Sequence, residues 1–155
     1  MRRLSRRPSG SWQELGAATL AGDYAKIIDY TNESIVKLLG GRAKAIESTE
    51  AVMKLMKAGG FTIKAYNVGE PGKFYTEGDN TFVVIPSSLE LTFPGGRVIG
   101  KSYLLGISPD GGKTWKFSDG AGITKYKGML DKVLPKLPAD LKLPEAEKPE
   151  VIKDK

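Results

Sequence analysis

The chain contains neither cysteine nor histidine. The first absence excludes disulfides, thiolate metal sites and a thiol nucleophile. The second removes the imidazole base, the Ser-His-Asp triad and an ordinary zinc site. Any catalysis would rest on carboxylates, tyrosines, lysines or serines, and no motif implies a cofactor or a metal. Also missing is any run of about 18 apolar residues, so no transmembrane helix is expected. The opening MRRLSRRPSG has the basic residues of a signal peptide without the apolar segment that should follow. Residues 1–11 read as a disordered arm or an expression remnant, and the remainder is compatible with a soluble, mature exported domain.

What is there is ordinary in kind. A chain of 155 residues suits one domain that buries roughly two-thirds of its unfolded surface. Apolar residues make up 40% and charged residues 27%, the balance of a soluble globular protein. The net charge of +6 is uneven, because Arg2, Arg3, Arg6 and Arg7 place +4 in the first residues. The body is therefore close to neutral. Nucleic-acid binding needs a basic face on the domain itself, so nucleic acid is not an expected partner.

Helical signals come first. Trp12–Leu20 carries apolar residues at one-face spacing, and Asp23 is placed to cap a second helix from Tyr24 to about Tyr30. Ile35–Leu39 is too short an apolar stretch to distinguish helix from strand. Ala43–Ala58 is the clearest helix, with Ile46, Thr49, Met53 and Met56 in one stripe and Gly59-Gly60 as its stop. Strand signals follow at Phe61–Val68, Phe74–Glu77, Thr81–Ile85, Leu89–Phe93, Val98–Ile107 and Thr114–Phe117, divided by Gly/Pro turns. A short helix fits near Thr124–Val133. Helices before an antiparallel meander indicate an α+β fold over residues 12–134. Residues 135–155, rich in Pro, Lys and Glu, read as a tail over or beyond that body.

Two stretches match well-known motifs. GGRVIGKS, Gly95–Ser102, fits the phosphate-loop pattern, but that chemistry needs a strand before the loop and a helix after it. Here strand signals run straight through Val98–Ile107, so Lys101 and Ser102 are expected along a strand and no phosphate site is assigned. SPDGGKTW, Ser108–Trp115, resembles the Asp-box of sialidase propellers. Its physics is a hairpin turn: Asp110 accepts local amides, the glycines take positive φ, and Trp115 packs on the hairpin.

The segment AGDYAKIIDYTNESIV resembles the opening helices of the nuclear transport factor two-like superfamily, in which a Gly-Asp pair often precedes such a helix. The further helix IESTEAVMKLMK and the long meander complete the same order, over roughly residues 12–120. The resemblance implies a cone in which a curved antiparallel sheet, a cystatin-like roll, wraps helices around a pocket. It also implies either a non-catalytic small-ligand-binding or interaction domain, or a metal-free isomerase, dehydratase or cyclase of SnoaL or ketosteroid isomerase type. The latter would need an Asp or Glu base and a Tyr donor. The chain offers Tyr24, Tyr30, Tyr66 and Tyr103 as donors, and Asp29, Glu90 and Asp119 as acids. No catalytic motif aligns, so no catalytic residue is assigned. The pocket candidates are Tyr30, Tyr66, Tyr103, Trp115 and Asp119. An aromatic-lined concavity is expected if Trp115 and Phe117 share a face with Tyr103, Leu105 and Ile107. The expected partners are a small apolar ligand and, by analogy, a second copy docked through the sheet.

Overall fold

Glycines and side-chain caps cut the start of the chain into four helices. The computed structural model describes residues 11–120, 123, 128, 132, 134–145 and 147–155. The arm expected over residues 1–11, apart from Ser11, lies outside them, as does most of the helix expected near Thr124–Val133. Helix α1 spans Ser11–Ala21, α2 Tyr24–Asp29, α3 Glu33–Leu38 and α4 Arg42–Ala58. Asp23 caps α2 by accepting the Lys26 amide, as its position suggests. The undecided Ile35 stretch is helical because Asn32 supplies a second cap, accepting the Ser34 amide at 2.9 Å.

The helices precede an antiparallel, open sheet, which makes the fold α+β. Its strands are β1 (Thr62–Val68), β2 (Phe74–Glu77), β3 (Asn80–Phe93), β4 (Gly96–Ser108), β5 (Lys116–Asp119) and β6 (Glu150–Lys153). The long β3–β4 hairpin is the spine. On one edge β1 and β2 pair with successive parts of β3, and on the other β5 and β6 pair with separate parts of β4.

The two strand signals on either side of Pro86 belong to one strand. Proline lacks an N–H and is tolerated where no partner strand needs one. Pro86 falls in the gap between β1, which pairs from Ser87 onward, and β2, which pairs up to Val83. The Gly69 and Gly72 amides fill that gap by donating to the Pro86 and Val84 carbonyls.

Alternation along the strands divides the core in two. Val83, Ile85, Leu104 and Phe117 face the helices and pack with Trp12, Leu15 and Trp115. Phe82, Tyr103, Leu105 and Ile107 point the other way and pack beneath Ile123 and Leu141, with Leu134, Leu137 and Leu143 alongside. The C-terminal residues therefore lie over the outer face of the sheet and end as one of its strands. Phe117 pairs with Gly106, a register that separates it from Tyr103, Leu105 and Ile107. The expected common aromatic concavity is corrected on that ground, since the two sets occupy opposite faces.

Candidate functional site

The site begins with an irregularity in β1. Ile63 lies opposite Leu91, whereas Ala65 lies opposite Glu90 and Tyr66 opposite Leu89. The extra residue re-phases the strand, so Ile63 and Tyr66 present the same face although they are three positions apart. That face looks toward the helices.

Between it and the helices lies a chamber of about 590 Å³. Leu15 and Thr19 of α1, Tyr24 and Ile27 of α2, and Ile35 and Leu38 of α3 form one side. Thr49, Met53 and Met56 close it from α4, and Ile63, Tyr66, Leu89 and Leu104 form the sheet wall. Thr49, Met53 and Met56 of the α4 stripe thus face the chamber rather than packing on strands, and all three are only half-buried. Two contacts brace this helix. Arg42 grips Asp29 through two hydrogen bonds of 2.7 and 3.1 Å, and these hold the Asp29 carboxyl below the usual carboxylate range. Ala45, fully buried, anchors the first turn of the helix.

Polar groups concentrate in one row across the helix-facing side of the sheet. Ser87 of β3 stands opposite Ser102 of β4. Ser87 is the hydrogen-bond partner of the Tyr66 phenol on β1, and Ser102 Oγ donates to Asp119 Oδ1 on β5 at 3.3 Å. Burial pushes the Tyr66 phenol up to about 12; the Asp119 charge adds to the rise and the Ser87 hydrogen bond opposes it. Burial, then the same carboxylate, also raises Tyr103.

A second chamber of about 430 Å³ lies beyond this row. Its wall includes the β4 stretch Gly100–Tyr103, which faces the gap between β5 and β6. Pro144, Glu145, Glu147 and Pro149 cover it from the C-terminal segment. Tyr66, Leu89 and Asp119 line both chambers, so the two meet at the polar row.

No family model, curated protein or solved structure matches the chain. The reading of the site therefore rests on its own geometry.

Of the five pocket candidates, the fold brings three together. Tyr66 and Asp119 line both chambers, and Tyr103 lines the second. Tyr30 packs against the helix-side core, and its hydroxyl donates to the Glu14 carboxylate. Trp115 is core: its Nε1 donates to the Gly112 carbonyl at 3.1 Å, and its ring packs against Phe74 at 5.9 Å between centroids. Among the acids considered, Asp29 is taken up by Arg42. Glu90 lies beside Lys64 and Arg97 at 3.5 and 3.6 Å. Sequence reasoning missed Ser87 and Ser102, although a Ser87-Ser88 pair inside an apolar strand was a signal of polar work on the buried face.

Both motif stretches have the backbone of turns and strands. Gly95, at φ 101°, turns the hairpin, and Lys101 and Ser102 pair with Ser88 and Ser87 in the ladder. Their backbone is thus committed to strand pairing and cannot form a phosphate cradle. In the Asp-box, Asp110 accepts the Thr114 amide at 2.9 Å and its hydroxyl at 2.7 Å. Ser108 adds a hydroxyl donor, and together these bonds lower the Asp110 carboxyl to about 2. Gly111 and Gly112 take φ of 74° and 96°. The constellation is a folded turn that delivers Trp115 to the core.

Proposed function

We propose that this chain is a non-catalytic small-ligand-binding domain of the nuclear transport factor two-like kind, its helices and sheet shaped as a cone around the binding chamber. The observation that carries the reading is the helix-side chamber, about 590 Å³ and lined mainly by aliphatic and aromatic side chains. Small-molecule sites are commonly concave, apolar spaces of about 300–1,000 Å³ with a few polar groups to orient the ligand. The row from Tyr66 to Asp119 supplies such groups at one end. A close-packed interior would have filled this space. The order of helices before the meander supports the family reading. A homodimer through the sheet has less in its favour, because the C-terminal residues already occupy much of the outer face.

Titration of the full chain with the neutral apolar dye N-phenyl-1-naphthylamine tests the proposal. Saturable fluorescence enhancement is expected. Met53→Trp, which places an indole in the chamber, should weaken it by about tenfold or more, a loss of at least about 1.4 kcal/mol. Absence of saturable binding to the native protein would overturn the reading.

The catalytic alternative has one observation in its favour: a tyrosine donor and a carboxylate face the same chamber. It requires Asp119 to take a proton from a bound carbonyl compound. Deuterium exchange into a bound ketone that Asp119→Asn abolishes, without loss of affinity, would favour it over simple binding.

A further inference from the structure

The binding proposal leaves the ligand's chemistry open, and the junction of the two chambers narrows it. We infer that the occupant is a single-chain amphiphile with a cationic amine head, its hydrocarbon in the helix-side chamber and its ammonium at the polar row. This deepens the binding reading and rests on it.

Three observations point to that class. The helix-side chamber is lined mainly by apolar side chains, and the hydroxyls of Thr19, Thr31 and Thr49 are spent on the backbone carbonyls four residues back. Asp119 is the one charged group among its described lining residues, so a ligand filling it has a long greasy part and one polar end. The second chamber, which shares those two residues, adds Glu145 and Glu147 to Asp119, and Lys101 is the one cation among its described lining residues. An ammonium entering there is drawn by three carboxylates against one lysine, whereas a carboxylate or phosphate head is repelled by them. The remaining groups also suit a donor head. Ser87 and Ser102 offer hydroxyl oxygens as acceptors, and the aromatic side chains of Tyr66 and Tyr103 line the same chamber.

The route for the head group is equally specific. β5 pairs with β4 from Leu104 onward and β6 only as far as Ile99. Among the described residues, no strand pairs with Gly100–Tyr103 on that edge. The acidic chamber occupies this notch, where the exposed Glu145 and Glu147 give the head contact with water.

Calorimetric titration of the full chain at low salt tests the inference, with dodecylamine and dodecanoate below their micelle concentrations and dodecanol below its solubility limit. The amine should bind about tenfold more tightly than the carboxylate, with the alcohol between them. Raising the salt should shrink the gap. Asp119→Asn should reduce the amine preference to about threefold or less. Glu145→Gln/Glu147→Gln, on exposed residues whose replacement leaves the core intact, should also lower it. Dodecanoate binding as tightly as the amine overturns the cationic class while the binding proposal stands. So does an amine preference untouched by all three substitutions. Failure of all three probes to bind removes both readings.

Discussion

Tyr66 keeps its proton where an unburied tyrosine would lose it. The phenol titrates near 12 in the fold, against about 10 in an unfolded chain. A raised value means that the native state holds the proton more tightly. The associated stability is complete below pH 10 and is lost as pH climbs toward 12. Relative to Tyr66→Phe, the native protein should lose about 1 kcal/mol of stability between pH 9 and pH 11. Urea denaturation at the two pH values measures this, and Tyr103 cancels because both proteins contain it. A difference that does not change with pH would show that the hydroxyl is solvated. The sequence singled out Tyr66 as a candidate, since a tyrosine within a strand has an apolar body and a polar tip. Its direction could not be foreseen. The bulge that turns it toward the helices depends on pairing with β3, and Lys64 carries no local mark of it.

Strands and helices were legible where hydrophobic periodicity repeats. The α4 stripe, the β3–β4 hairpin around Pro94-Gly95-Gly96 and the Asp-box turn all follow from local residues. Strand β6 did not, because Glu150–Lys153 has no periodic pattern longer than its four residues and takes its order from β4. Gly96 shows the coupling. A Cβ at this position would lie 2.3 Å from the Ile152 carbonyl oxygen, too close for any side chain. Gly96→Ala should therefore detach β6 while leaving the hairpin paired. Hydrogen exchange is the measurement: the amides of residues 150–153 should lose protection while those of Val83–Ile85 keep theirs. Protection retained on β6 would mean that the strand can shift to accommodate the methyl group.

The molecule as assembled has two kinds of interior. Phe117 is nearly inaccessible among Trp12, Val83 and Leu104, whereas Met53 borders empty space. Phe117→Ala should cost about 3–5 kcal/mol, the range for truncating a packed aromatic. Met53→Ala should cost less than about 1.5 kcal/mol, because the atoms removed have few partners to lose. Chemical denaturation of the two variants tests the distinction. Similar losses would indicate that the α4 stripe is packed and that the chamber is occupied by the protein's own side chains.

Local chemistry was enough to specify the class of fold and its punctuation. Missing cysteine and histidine excluded whole families of sites, periodicity separated the helices from the strands, and glycine, proline and aspartate set the turns. These are properties of neighbouring residues, so they can be read along the chain. The chamber, the polar row and the acidic notch are of another kind. They arise from strand register, a one-residue bulge, and the late return of the C-terminal segment to β4. Each depends on pairings between distant residues, and a single-residue change in register reverses which face a side chain presents. For that reason Trp115 and Tyr103 could be named together from the sequence and still lie on opposite sides of the sheet.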